Sequence, residues 1–226
     1  MAVYVIQKCA ISLDGYLNDA SGKRLLISNA ADFDRADQVR AEVDAILVGA
    51  GTVRSDDPHL TVKSKKYRAI RRAKGRPSNP LKIILTNSGN LSPDKKVFAD
   101  GTPKLVYCPN TKRVQLHKLL GPLAEVVASG KSRLNLVQII ADLNERGIKK
   151  LLIEAGSSIG AAFLEAGLVD ELQISIAPFF IGDQKAPYFF GGKKILHGPR
   201  QPMKLIREEK LGDMILLTYC LKRSTL

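Results

Sequence analysis

Tryptophan is absent from this 226-residue sequence, and cysteine and histidine occur only three times each. The cysteines, Cys9, Cys108 and Cys220, stand far apart, so they form neither a disulfide framework nor a metal-ligand spacing. The histidines belong to no HExxH or HxE…CxxC pattern, which argues against a zinc hydrolase or a zinc deaminase. These scarcities predict a protein without a metal centre that works in a reducing compartment, the cytoplasm.

Long apolar runs are also missing. No segment approaches the ~18–20 consecutive apolar residues that cross a bilayer. The apolar residues near the N-terminus are interrupted by Gln7 and Lys8, and no basic stretch precedes them, so the segment does not look like a signal peptide. The sequence therefore predicts no membrane partner.

Acidic residues are scarce relative to basic ones. The chain has 22 Asp and Glu against 35 Lys and Arg, a net charge of +13, and eight of the basic residues fall in residues 63–76, which hold no acid. Removing these eight charges leaves +5. Such a run suits either a solvated surface segment or a nucleic-acid-binding one. Its single aromatic residue, Tyr67, is too little for base stacking, which favours the solvated segment and no nucleic-acid partner.

Strand-like runs alternate with helical patterns along the whole chain. Strands are predicted at residues 3–11, 45–49, 81–86, 104–108, 124–128, 150–153, 171–178 and 214–221. Helices are predicted at residues 31–43, 136–146 and 157–165. The alternation indicates one α/β domain over residues 1–226 with a mostly parallel sheet. No clear helix separates the last two strands, so we expect an antiparallel addition and a mixed sheet.

Residues 49–53, which follow a buried strand, begin like a dinucleotide-binding loop. Arg54 stands where the third glycine would be, and Asp57 and Pro58 follow too soon for an obvious helix. A tight glycine turn without a ligand explains this segment as well as a phosphate-binding loop does.

A second loop, residues 155–162, is a stronger candidate for phosphate binding. It consists of small residues with two serines and leads from a strand into a predicted helix. A helix N-terminus offers free amides and the positive end of the helix dipole to an anion. Glu154 stands at the carboxyl end of the preceding strand, where open α/β sheets place their ligands. Because no nucleophile motif is present, this arrangement favours a reaction such as hydride transfer, in which a cofactor carries the chemistry.

The order and spacing of short motifs resemble those of the riboflavin-biosynthesis pyrimidine reductases. The motifs are AISLDG at 10–15, VRA at 39–41, DAILVG at 44–49, GTV at 51–53, DDPHLT at 56–61, IEAG at 153–156, GLVDEL at 167–172, AP at 177–178 and a glycine at 182. The resemblance implies a dihydrofolate-reductase-like fold: a three-layer α/β sandwich with helices on both faces of a mostly parallel mixed sheet. It also implies NADPH as cofactor, a homodimer, and reduction of a ribosylamino-pyrimidine 5′-phosphate to its ribitylamino form.

The resemblance further assigns residues to the two ligands. Positions that match cofactor contacts are Ala10, Thr52, Asp56, Ser88, Gly156, Ser157, Ser158, Ile159, Gly160, Ala161 and Ala162. Positions that match substrate contacts are Arg24, Arg40, Leu60, Lys63 and Glu154. Two of these depart from the family pattern: Arg24 replaces a serine, and Lys63 replaces an arginine. Leu26 likewise replaces a tryptophan.

Several alternatives stay open at this point. The departures at Arg24 and Leu26 also suit a reductase of the same fold that acts on another pterin or imine substrate. NADH is a possible cofactor, and the basic segment leaves a nucleic-acid-binding module as a distant alternative. No side chain is assigned as catalytic; Asp14 is a weak candidate for a general acid, because it equally suits an Asp-Gly turn. Since no deaminase signature is present, we expect a stand-alone reductase that favours the diamino substrate.

Overall fold

The structure, a computed structural model, describes residues 2–21, 24–192 and 196–221, so the ends of the predicted 1–226 domain lie partly outside it. The strands are β1 Tyr4–Ile11, β2 Ala45–Gly49, β3 Leu81–Leu85, β4 Lys104–Cys108, β5 Glu125–Ala128, β6 Lys150–Ile153, β7 Glu171–Ile176, β8 Lys204–Leu211 and β9 Met214–Cys220. The helices are α1 Ala30–Glu42, α2 Ala50–Asp56, α3 Lys65–Ala73, α4 Asn110–Leu120, α5 Leu136–Glu145 and α6 Ser157–Glu165. Short 3-10 turns occupy Lys96–Phe98 and Gly121–Leu123.

Two compact units divide the chain. Of the described residues, 2–3 and 37–151 form the first unit, and 4–21, 24–36, 152–192 and 196–221 form the second. Helix α1 and strand β6 each begin in one unit and end in the other. The single domain predicted from the sequence stays a prediction.

The first unit contains a parallel sheet in the order β5-β4-β3-β2. Its strands are short apolar runs, and all five residues of β2 and all five of β4 are buried. Parallel strands that are buried on both faces have this composition. The carboxyl ends of the four strands lie at one edge of the sheet, where Gly49 of β2 stands beside Leu85 of β3.

The second unit contains a mixed sheet. Strand β1 pairs parallel with β7, which pairs antiparallel with β9, and β9 pairs antiparallel with β8. The predictions of an antiparallel addition at the end of the chain and of a mostly parallel mixed sheet are therefore confirmed.

Strand β8 was not predicted from the sequence. Its eight residues, KLIREEKL, are mostly exposed, and only Leu211 is buried. A strand that buries so little apolar surface shows no clear alternation, and charged residues are typical of sheet edges.

Among the described residues, none of the helices is both long enough and apolar enough to pass through a membrane.

Candidate functional site

Helix α2 follows β2 directly, although the sequence predicted no helix at this point. The helix has only seven residues and ends at Asp57, whose left-handed backbone (φ 45°) reverses the chain. Thr52 and Asp56, two predicted cofactor contacts, are half-buried on this helix. A methyl group added to Gly51 would meet only the Arg54 guanidinium, 4.0 Å away. The first turn of α2 therefore presents open backbone at the carboxyl end of β2.

Ser88 lies in the turn after the neighbouring strand β3 and is exposed, as a cofactor contact requires. Its hydroxyl oxygen accepts a hydrogen bond from the Asn90 amide at 3.2 Å. The Asn90 carbonyl in turn accepts a hydrogen bond from Arg54 Nη1 at 2.9 Å. The Arg54 side chain thus connects α2 to the Ser88 turn at one edge of the parallel sheet.

The segment from Asp57 to Ser64 has a constrained backbone. Leu60, a predicted substrate contact, is 3% exposed and has a φ of 51°. Non-glycine residues adopt this left-handed conformation at a cost of about 1–2 kcal/mol. The Lys96 amide donates to Asp57 Oδ1 at 2.9 Å, and this hydrogen bond and the Lys95 and Lys96 charges hold the pKa of Asp57 below its usual value.

Arg40 and Lys63, two of the predicted substrate contacts, both belong to the first unit. Arg40 is half-buried near the end of α1, and its Nη1 donates to the Thr61 carbonyl at 3.4 Å. Lys63 is exposed two residues further along the same segment. Arg40 therefore contacts the segment that carries Lys63.

The basic stretch 63–76 contains helix α3, which Ser64 caps by accepting a hydrogen bond from the Tyr67 amide. The expectation of a wholly solvated rim is wrong for Arg71, which is 1% exposed. Its guanidinium donates to backbone carbonyls at the end of α1, those of Arg40, Ala41 and Val43, and to that of Pro77. Burial lowers the pKa of Arg71 from its usual value. Arg71 of the basic stretch therefore stabilises the fold and is not available to bind an anion.

In the second unit, Ala10 is half-buried near the end of β1, beside Ser175 of β7. A buried polar cluster lies on the same strands: Lys8 Nζ donates to Asp32 Oδ1 at 2.7 Å and to Ser175 Oγ at 3.0 Å. Burial alone would raise the pKa of Asp32, but the Lys8 charge and the hydroxyl hydrogen bonds hold it below its usual value. Only one feature of the sequence indicates this cluster, the lysine that interrupts an apolar strand.

Asp14 does not suit the role of a general acid. Its carboxylate accepts hydrogen bonds from Ser12 Oγ at 2.5 Å and from the Ile181 and Gly182 amides at 3.1 and 2.8 Å. Although desolvation would raise its pKa, these donors hold the pKa of Asp14 below its usual value. An ionised carboxylate with three donors has no proton to give near neutral pH. The hydrogen bonds of Asp14 instead connect its own turn to the loop that contains Ile181 and Gly182.

The loop after β6 enters α6 as predicted. Gly156 occupies the N-cap position and has no side chain to accept the amides of the first turn, which Ser157, Ser158 and Ile159 form. The later residues of the predicted run, Gly160, Ala161 and Ala162, continue the helix. A methyl group added to Gly160 would lie 2.7 Å from Gln7 Nε2, so an alanine at this position would displace the end of the Gln7 side chain.

The remaining substrate candidates are Glu154 and Arg24. Glu154 directly follows β6 and is half-buried, whereas Arg24 is exposed in an irregular segment. Leu26, the other departure from the family pattern, is 64% exposed.

Comparison with known sequences identifies the family. The family model described as the RibD C-terminal domain matches residues 3–217. The chain belongs to this family. It is thus an oxidoreductase of riboflavin biosynthesis.

Two relatives match this RibD-family chain over nearly their whole length. Proteins of Archaeoglobus fulgidus and Methanothermobacter thermautotrophicus, each named 2,5-diamino-6-ribosylamino-4(3H)-pyrimidinone 5′-phosphate reductase, are 32% identical to it. The matches cover 96% and 98% of this chain and 98% and 100% of the relatives. RibD of Chlamydia pneumoniae is 31% identical over 96% of this chain, which spans 56% of that protein.

Solved structures agree on the fold. Acinetobacter baumannii RibD matches 98% of this chain and 59% of its own with a TM-score of 0.79 and 26% identity. A pyrimidine reductase-like protein from Corynebacterium diphtheriae gives a TM-score of 0.83 at 24% identity, covering 98% of this chain and 93% of its own. The expected dihydrofolate-reductase-like fold class is confirmed.

Proposed function

We propose that this chain reduces a ribosylamino-pyrimidine 5′-phosphate to the ribitylamino form, with the diamino compound as its preferred substrate and NADPH as its reductant. The observation that carries the proposal is the match to two diamino-compound reductases over 98% and 100% of their lengths.

The residues of this chain fit a dinucleotide. The first turn of α6 begins at a glycine and presents backbone amides, and the first turn of α2 is open at Gly51. Such groups suit a pyrophosphate and a closely approaching nucleotide. When bound, the dinucleotide supplies the hydride. The family resemblance assigns its binding to the α6 turn and Ala10 of the second unit and to Thr52, Asp56 and Ser88 of the first unit.

The family resemblance assigns the substrate to five side chains, those of Arg24, Arg40, Leu60, Lys63 and Glu154. Arg40 and Lys63 bind the 5′-phosphate by charge, and buried Leu60 shapes the segment between them. Glu154 accepts the exocyclic N–H groups of the pyrimidine and orients the ring. The chain thereby positions the substrate and the dinucleotide and excludes water from them, and it supplies no proton donor.

The test of the proposed function is turnover. Purified protein should oxidise NADPH when the diamino ribosylamino-pyrimidine phosphate is added, and more slowly with the deaminated compound. Oxidation with neither compound contradicts the proposed reaction.

Arg54 supports the choice of NADPH over NADH. Its guanidinium is exposed beside the Ser88 turn, and only NADPH carries a 2′-phosphate that an arginine can bind through paired hydrogen bonds. Replacing Arg54 with glutamine is expected to raise KM for NADPH about 10- to 100-fold and to leave KM for NADH unchanged. Steady-state kinetics with both cofactors measures this.

A matched control is Arg72→Gln, because Arg72 is also exposed and makes one hydrogen bond, to Ser78 Oγ at 3.1 Å. This variant should keep both KM values. If Arg54→Gln changes the two cofactors equally, Arg54 does not select between them.

The sheet of the second unit supports a homodimer. Gln173 and Ser175 of β7 are buried, whereas Ile174 and Ile176, which point to the opposite face, are only half-buried. Ile176 pairs with Ile215 of β9, which is 42% exposed. Partly exposed apolar side chains that lie next to one another on one face of a sheet suit contact with a partner. We assign that partner to a second copy of this chain.

Replacing Ile215 with aspartate is therefore expected to give a monomer with an unchanged far-UV circular dichroism spectrum, because a charge in an apolar interface remains unpaired. Analytical ultracentrifugation measures the mass. Val114, which is 68% exposed on α4, offers the control Val114→Asp, which should remain dimeric. A monomeric unaltered protein, or a dimeric Ile215→Asp variant, contradicts this interface.

A further inference from the structure

Asp37 is a buried carboxylate that the sequence did not single out. It lies on α1 and is 5% exposed. Its Oδ1 accepts the Lys63 amide at 2.7 Å, and its Oδ2 accepts the Ser64 amide at 2.7 Å. Both oxygens of one carboxylate therefore hold consecutive backbone amides, 26 and 27 residues away in the sequence.

The segment that Asp37 binds, residues 57–64, depends on contacts with the rest of the fold for its conformation. Leu60 has a left-handed backbone, and such residues persist where the surroundings fix them. Further along, the Val62 amide donates to Asn79 Oδ1 at 3.0 Å, and the Val62 carbonyl accepts from Arg68 Nη1 at 2.9 Å. The two charged hydrogen bonds to Asp37 are the shortest of these contacts.

Asp37 also connects Lys63 to the second predicted phosphate ligand. Arg40 follows Asp37 by three residues on α1, a spacing that places two side chains on one face of a helix. Arg40 donates to Thr61, and Asp37 accepts from Lys63 and Ser64. One helical turn of α1 thus fixes both cationic positions.

The geometry points to Asp37 as the positioning residue of the phosphate-binding pair. This inference rests on the proposed function. The exposed Lys63 side chain has a flexible stem, so the place its ammonium reaches depends on where its backbone is held. Asp37 itself does not contact the phosphate, because a second anion there would repel it. Its effect is to preorganise Lys63, which reduces the ordering that substrate binding requires.

The test compares the substrate with the same compound lacking its phosphate. Asp37→Asn keeps the shape of the side chain but turns an N–H group toward one of the two amides. KM for the phosphorylated substrate is expected to rise about 10-fold, with kcat changed less than about twofold. KM for the dephosphorylated compound and KM for NADPH should not change. In the double variant Asp37→Asn/Lys63→Ala, KM for the phosphorylated substrate should rise by a smaller factor than the product of the factors measured for the two single variants.

Asp100 provides the matched control. Its carboxylate accepts Lys82 Nζ at 2.8 Å in the same unit, close to the amino ends of β3 and β4 and not near their carboxyl ends. Asp100→Asn should lower the urea midpoint without changing the ratio of the two substrate KM values. If Asp37→Asn does not fold, Ser64→Pro removes the Ser64 amide that donates to Asp37, since the Ser64 φ of −67° suits proline. Because this variant also loses the hydroxyl that caps α3, it is compared with Ser64→Ala, which loses the cap and keeps the amide.

The role of Asp37 is overturned if Asp37→Asn raises KM equally for the phosphorylated and the dephosphorylated substrate. It is also overturned if the ratio of these two KM values stays at that of the unaltered protein. Multiplicative effects of Asp37→Asn and Lys63→Ala overturn it as well. Failure of the proposed function looks different, because the unaltered protein would then turn over neither compound.

Discussion

Replacing Glu154 with glutamine is expected to lower kcat/KM about 100- to 1,000-fold, while the urea midpoint of unfolding changes little. Glu154 directly follows β6 and is half-buried, in the place that the proposed function gives to the pyrimidine ring. A carboxylate accepts two N–H groups, whereas the glutamine amide accepts with its oxygen and opposes the second donor with its own N–H group. Steady-state kinetics and urea unfolding of the same preparation measure the two effects.

Glu145→Gln is the corresponding control, because Glu145 is exposed at the end of α5. It should leave both kinetics and stability unchanged. Parallel losses of stability and of kcat/KM in Glu154→Gln would show that Glu154 supports the fold and does not orient the substrate.

Replacing Arg71 with methionine is expected to destabilise the protein by about 3–5 kcal/mol, because several backbone carbonyls lose the charged donor that binds them. Methionine fills much of the volume but leaves the carbonyls at the end of α1 without the guanidinium that now binds them. The shortest of these hydrogen bonds joins Arg71 Nη1 to the Val43 carbonyl at 2.6 Å. Equilibrium unfolding in urea measures the change.

Substitution of the adjacent Arg72 shows whether the loss of stability comes from removing a buried arginine or from removing a positive charge. It is exposed, and Arg72→Met should change the free energy of unfolding by less than about 0.5 kcal/mol. Similar, small effects of both substitutions would contradict the assignment of Arg71 to the helix end.

The sequence was informative where burial is strong. The apolar runs of β2 and β4 predicted their strands to the residue, since every side chain in them is buried. Helix α4 was missed for the opposite reason: only Leu116 and Leu120 of its eleven residues are buried, which is too few to show a helical period.

For the candidate site, motifs identified the loops but not the contacts that hold them. Residues 156–162 could be recognised because a short loop and the start of a helix are local features. Asp37 and Arg71 were not recognised in these roles, because each acts on backbone groups about 26 to 31 residues away. Such partners depend on the tertiary fold, and a single sequence does not encode them in any local pattern.

The most direct measurement is the mass of the product formed when both substrates compete. The diamino ribosylamino-pyrimidine phosphate and its deaminated form are mixed in equal amounts with the protein and NADPH, and the products are identified by mass spectrometry. We expect the diamino ribitylamino phosphate, heavier than its substrate by two hydrogens, to appear first and in an amount equal to the NADPH consumed. NADPH consumption without either ribitylamino product, or unchanged masses for both compounds, would contradict reduction of the ribosylamino carbon by this chain. Formation of the deaminated ribitylamino product first would contradict the preference for the diamino compound.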